Sequence, residues 1–547
     1  MPPNTLDLQD FSATPRTRLR RPLRIATAVA AILGTLAAPA ALAQSSTDMA
    51  SQLKALQDQI QQLQRQLNEL QAKQAAQSAA TQQPPAPPAA QAAPSSATTA
   101  PVVHAGPVNV TFGGFTALES VYRDHNETAD IGSNYNTSIP FPYQANDHVS
   151  EFRESARQSR LSILAQTPRS GSYSAEGYLE SDFLSAGASS NSAESNSYTL
   201  RVRHFYGLLR DNDAGWYLLA GQNWSLATLY ANAQLAPRSE RIPQTIDAQY
   251  VVGFNWTRDP QLRWVKSWGN TMSLGFSVES PQASFYSGCS GVATPAPAAC
   301  GAVSNITTNA GGSLFASNQN YSIDFAPDFI GKFAFDPGYG HYEVYMLARG
   351  FRDRSPGTAA GTNNTAWGVS GGGGLILPLA GPALEFQLSG LAGSGNGRYG
   401  SAQLPDATIK PDGTVATIDE VQLLGGLLFK PTPLSTYYLY YGFEQASKTA
   451  YANAAGTVGY GYGSELYNNS GCDLLTGSAG TCIANTKTLD QLAIGSWWKV
   501  YQGDIGNFQI GLQYSYTKRK TFAGVGGDPS TDINMGFVSF RFYPYQR

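Results

Sequence analysis

From about Val108 to Arg547 the chain repeats one pattern: an alternating apolar and polar run, a short polar turn, a second run, then a longer Gly/Asn/Ser-rich stretch. A period of two belongs to a β-strand with one apolar and one polar face. Leu274, Phe276 and Val278 oppose Ser273, Ser277 and Glu279, and Ile510, Leu512, Tyr514 and Tyr516 oppose Gln509, Gln513 and Ser515. Short turns fall at 167–171, 211–215, 266–270, 336–340, 379–383, 430–435 and 501–507. Long loops lie at about 124–151, 186–197, 225–247, 282–320, 353–364, 395–419, 446–485 and 519–531. This rhythm predicts an all-β transmembrane barrel of about 16 antiparallel strands, apolar toward lipid and polar toward a lumen. With both termini periplasmic, the long loops face outward.

The same parity sets Tyr437, Leu439, Tyr441 and Phe443 on the outer face, as in the aromatic girdles that fix a barrel's height in its bilayer. Val538, Phe540 and Phe542 resemble the aromatic C-terminal insertion signal of outer-membrane proteins, with Pro544 to Arg547 extending beyond it. Ahead of the barrel the period changes. Met49, Leu53, Leu56, Ile60, Leu63, Leu67 and Leu70 are spaced alternately by four and three, the seam of a heptad repeat. Residues 44–74 are therefore read as a short α-helical coiled coil. Its glutamine-flanked seam offers no charge pairs to choose a partner and is too short to be stable alone, so barrel association must bring the chains together. Residues 75–107 are an Ala/Pro-rich linker, with Pro84, Pro85, Pro87, Pro88 and Pro94 blocking helix continuation.

Arginines from Arg16 to Arg24, an apolar run over 25–38 and Ala41-Leu42-Ala43 make 1–43 a signal peptide, with initiation downstream of Met1 left open. Composition agrees with a barrel: 55 Gly, 29 Tyr, 24 Phe and 14% charged residues. A mean hydropathy of -0.25 excludes a polytopic helical membrane protein. A net charge of -3 leaves no basic surplus for nucleic acid. Export implies an oxidising compartment, and the cysteines fall as close pairs, Cys289 with Cys300 and Cys472 with Cys482, in the fourth and seventh long loops. Two local disulfides are expected. The competing reading, a metal site, lacks the two-residue spacing and histidine partners of zinc ligands, and no cofactor is expected.

Parity also nominates lumen residues. Arg160 opposes Leu161 and Ile163, and Arg201 and Arg203 oppose Leu200 and Val202, so all three project inward. The intervening strand aims Glu176, Glu180 and Asp182 inward too, so the arginines are either an anion path or neutralised by neighbours, and both readings stay open. Gln222 and Trp224 are further inward candidates; Arg258 and Arg263 flank Pro260, which is expected to disturb the alternation. His204 shares the lipid-facing parity of Val202. The third long loop carries Arg238, Glu240 and Arg241 and lacks the Gly/Asn richness of the others. It is expected to fold inward as a constriction, the alternative being a cap on the subunit surface.

Three runs then carry a resemblance: Glu-Ser-Ala-Arg-Gln-Ser-Arg (154–160), Leu-Arg-Val-Arg-His-Phe-Tyr-Gly (200–207) and Ala-Gly-Gln-Asn-Trp-Ser (220–225). Over the first third of the barrel, and in the heptad segment, the chain resembles the DcaP-like trimeric outer-membrane porins. The resemblance implies a homotrimer in the outer membrane of a Gram-negative bacterium, a periplasmic coiled coil and passive uptake of small anions such as dicarboxylates. Arg160, Arg201 and Arg203 would contribute selectivity. The alternative is a structural protein tethering the membrane to cell-wall polymer through its coiled coil. An enzyme is not expected, since none of the five histidines has an evident nucleophile neighbour and Gly371 to Gly374 lack the lysine and helix of a phosphate loop.

Overall fold

The computed structural model describes residues 102–127, 129, 131, 139–184, 199–248, 251–291, 324–355 and 361–545. The signal peptide, the coiled coil, most of the linker and Cys300 lie outside them. The chain runs up and down one wall as β1 (Val108–Arg123), β2 (Glu151–Ser155 continued by Arg160–Gln166), β3 (Tyr173–Asp182), β4 (Arg201–Asp211), β5 (Trp216–Trp224) and β6 (Arg258–Trp268). It continues as β7 (Met272–Glu279), β8 (Asp328–Phe335), β9 (His341–Ser355), β10 (Thr362–Pro382) and β11 (Leu384–Ser394). β12 (Asp419–Thr432), β13 (Ser435–Ala446), β14 (Thr486–Gly503), β15 (Gly506–Thr521) and β16 (Ser530–Tyr543) complete it.

Every neighbour is antiparallel, and β16 returns to β1 from Thr116↔Phe542 to Arg123↔Met535, so the barrel closes with 16 strands. Closure removes the edges that lipid could not satisfy. Two details refine the strand pattern. Val102–Ala105, inside the segment read as linker, pairs with Val108 to Thr111 and lengthens the base of β1. The break in β2 at 156–159 is patched by the Ser159 hydroxyl, which accepts from the Ala117 amide at 2.9 Å.

The alternation sorts side chains as the pattern requires. Phe276 and Val278 are exposed on the outer wall while Ser273, Ser277 and Glu279 are buried, and Leu512 and Tyr514 oppose buried Ser515. Pro260 does not break the rhythm as expected. Its imide sits on the outer wall opposite Gln222, and β6 alternates straight through it, with Gln261 and Arg263 buried and Leu262 and Trp264 exposed. Among the largest fully buried side chains are Arg123, Arg263, Arg349 and Lys332, so the interior is polar, as a lumen must be. Each is partnered; Lys332 donates to Glu343 at 2.6 Å and Arg349 to Asp406 at 2.6 Å.

The long-loop rim carries small sheets of its own. Ala407–Ile409 and Val415–Thr417 of the sixth loop pair beside Phe285–Tyr286 of the fourth. Thr449–Ala452 and Val458–Tyr462 of the seventh join Cys289–Gly291. Cys472 and Cys482 form a disulfide with a Cα separation of 4.7 Å, packed with Phe141 of the first loop. This crosslink constrains at most about 3 kcal/mol of loop entropy, all of it beyond the barrel wall. Replacing both cysteines by serine should therefore leave the barrel's heat-modifiable gel migration intact while making 447–485 the first site of limited proteolysis. Loss of barrel assembly would contradict that.

Candidate functional site

The wall of β2 to β4 gathers the predicted charges. A register shift places Glu180 opposite His204 and Ser181 opposite Val202, leaving Arg203 as the extra residue of a β-bulge. Arg203 and His204 consequently both turn inward, each about 5% exposed or less, between outward Val202 and Phe205. The expected lipid-facing position of His204 is thus corrected: the bulge shifts parity by one. Its Nδ1 lies 2.7 Å from Asn223 Oδ1, which fixes the ring against the lumen wall. Gln222 is corrected in the opposite sense. It pairs with Phe205, 64% exposed, on the outer face, and its amide donates to the Val202 and Arg203 carbonyls at the bulge (3.0 and 3.3 Å). Trp224, where β5 ends, turns its ring inward against Phe254 and His204.

Charge pairing separates the three arginines. Arg201 grips Asp182 through two bonds of 2.9 and 2.7 Å, and Arg203 reaches Glu180 at 2.5 Å and Asp182 at 2.8 Å. Both are compensated by carboxylates of β3. Arg160 has only a 3.8 Å approach to Glu180, and its Nε has no hydrogen-bond partner among the described residues.

The third long loop plunges into the barrel. Leu226 NH donates to Glu279 on β7, Tyr230 NH to Glu343 on β9, and Ala233 NH to Asp336 at the short-turn rim. Arg238 then bonds Glu176 of β3 at 2.8 Å, while Arg241 is bidentate on Glu385 of β11 (Nε to Oε1 3.1 Å). In a 16-strand barrel β3 and β11 are eight strands apart, so the loop crosses the lumen from wall to opposite wall. Glu240 accepts from Asn223 at 3.2 Å on the return. The chain comes back along β14 to β16, where Trp497 Nε1 donates to the Gln244 carbonyl, Ile246 NH to Gln513, and Arg541 to the Ile246 carbonyl. It passes β12 and β13 so closely that a Cβ on Gly253 or Gly442 would strike the Leu423 or Val252 carbonyl oxygen.

The sixth loop joins it, which the sequence reading missed. Ser401 donates to the Val251 carbonyl, Trp256 Nε1 to the Gly400 carbonyl, and Arg398 to Asp259. Leu404, Ile409, Val415 and Ile418 are buried; these four apolar residues in a loop read as polar were the available signal.

Beneath residues 242–248 of the third loop, at the short-turn end, lies a cavity of about 290 Å³. Arg160, Lys499 and Arg541 line it with Gln244, Thr436 and Gln509, and no acidic side chain does among the described residues. Phe115 carries two guanidinium groups, Arg160 at 5.2 Å and Arg541 at 4.9 Å from the ring centroid. Arg541 is also tied to Glu119 at 2.5 Å. Arg541 was legible from its parity between Phe540 and Phe542, and Lys499 from the alternation that sets Leu492, Ile494 and Val500 outward; the register shift of that strand falls beyond it, between Lys499 and Tyr501. Among the described residues no cluster of three or more His, Cys, Asp or Glu could hold a metal ion.

No protein-family model and no curated sequence matches the chain. Solved structures do. The outer membrane channel DcaP of Acinetobacter baumannii superposes over 80% of this chain and 97% of its own, at a TM-score of 0.53 and 17% identity. The chain has the DcaP-like fold. Weaker likenesses to this chain are the anion-selective porin from Comamonas acidovorans (11% identity, TM-score 0.40, covering 80% of this chain and 99% of its own) and OprB of Pseudomonas putida (10%, 0.42, 79% and 94%).

Proposed function

We propose that this protein is an outer-membrane porin, a passive diffusion channel for small hydrophilic solutes that favours anions of the dicarboxylate type. The observation that carries this reading is the acid-free cavity bounded by Arg160, Lys499 and Arg541 under the inward third loop. A cation-lined constriction with low-dielectric walls concentrates anions and repels cations. Of the three arginines first nominated, Arg160 is the one left to act on solute; Arg201 and Arg203 organise the wall through Glu180 and Asp182. In proteoliposome swelling, a four-carbon dicarboxylate should enter at least about tenfold faster than a diamine of equal length. Equal rates would remove the anion preference, and no swelling with either would remove the channel.

We further propose a homotrimer, its heptad seam held together in the periplasm. Support comes from the outer wall, where Ala165, Gly177, Gly207 and Ala220 form one register row of small residues across β2 to β5. On the same wall, toward its long-loop end, outward-facing Glu154 accepts from Ser120 at 3.1 Å, a carboxylate that lipid would penalise and a neighbouring subunit would shelter. The detergent-extracted protein should migrate as an SDS-resistant trimer until heated; a monomer in mild detergent would contradict this.

A further inference from the structure

The outward positions of β9 run Tyr342, Val344, Met346, Ala348 and Gly350, and then Arg352 and Arg354. Asp353, between the two arginines, is buried on the lumen side with Asn364, whereas Arg354 donates to outward Asn363 at 2.9 Å. At about 3.3 Å per residue and a strand tilt of about 40°, the rise from Tyr342 to Arg352 is roughly 25 Å, the height of a barrel's apolar band. The arginines therefore stand at its long-loop edge, level with the phosphates of the outer leaflet. One step lower, Trp367 of β10 lies opposite Gly350, which the Phe325 ring covers, and the two rings meet edge to face at 5.2 Å. The acidic residues of β8 to β10, Asp328, Glu343 and Asp353, are buried on the lumen side, so among the described residues the outer face of these strands carries no carboxylate.

Farther down the same wall, Gly371 and Gly373 of β10 stand in register with Ala392 and Gly390 of β11, and the surface sinks into an apolar depression of about 630 Å³ walled by Val344 and Leu423. Gly371 has no positive φ, and a Cβ there would meet no atom within 4 Å, so its missing side chain supplies space on the lipid side. The depression lies about 15 Å below the arginines, at acyl-chain depth.

We infer that this wall seats one phosphate-bearing lipid of the outer leaflet, a glycolipid of the lipid A type, with Arg352 and Arg354 on a phosphate, Trp367 at the headgroup boundary and an acyl chain in the depression. Charge complementarity selects this occupant, because guanidinium forks match phosphate oxygens at a membrane surface. A second copy of the chain fits less well, since β9 to β12 lie across the barrel from the β2 to β5 row that supports subunit contact.

Native mass spectrometry of the intact protein in non-ionic detergent, titrated with bis-phosphorylated lipid A, should show one tightly retained lipid per subunit. Arg352→Gln with Arg354→Gln should weaken retention at least about tenfold, since both phosphate-facing charges are lost. Gly371→Leu, which fills the depression and leaves the charges alone, should weaken it at least about twofold through lost chain contacts, and it carries the test if the double variant does not assemble. Excess inorganic phosphate should not displace the lipid. Unchanged retention in either variant would overturn the inference. So would displacement by inorganic phosphate, which would mark a free-anion site, or conversion of the double variant from oligomer to monomer, which would mark a subunit contact.

Discussion

Releasing the third loop from its two arginine anchors, by Arg238→Ala with Arg241→Ala, is expected to raise single-channel conductance at least about twofold and to add open-channel noise. Arg238 and Arg241 hold the loop's deepest stretch to opposite walls, at Glu176 and Glu385, through charge-assisted bonds. Each such bond is worth about 1.5 to 3 kcal/mol, enough in sum to keep the crossing segment closed. The later fastenings to Trp497, Gln513 and Arg541 remain, so the loop should stay inside the barrel yet lose its grip on the centre. Unchanged conductance would mean that the crossing segment does not limit the path.

Removing the two cavity cations Arg160 and Lys499 together should lower the anion-to-cation permeability ratio by at least about fivefold, at about 1 kcal/mol per charge in an aqueous lumen. A charge-neutral control separates field from fold. Arg203→Gln with Glu180→Gln removes one buried pair and leaves the cavity lining intact, so its ratio should change far less. A larger effect from the control would return the selectivity role to the bulge cluster.

The barrel was legible because a lipid-facing wall enforces strict alternation, and strict alternation is visible in a single sequence. The inward faces of Arg160, Glu176, Glu180 and Asp182 followed from it. One error has a local cause: the bulge at Arg203 adds a residue, so parity counted through it sends His204 to the wrong face; Gln222 is on another strand, where it shares the outward parity of Leu218 and lies opposite Phe205. Such a bulge is a property of two paired strands, and neither strand alone reports it. The third loop's inward path was suggested by its composition, but its span was not, since Glu385 lies 144 residues from Arg241. Likewise, whether Arg201 and Arg203 were available or neutralised depended on distances to Asp182 and Glu180 that only the closed wall sets.

If solute passes a cation-lined constriction, the reversal potential of the purified protein in a planar bilayer under a potassium chloride gradient must report it. The potential should be displaced toward the chloride equilibrium value; displacement toward the potassium value, or no conductance at all, would rule the cation-lined path out.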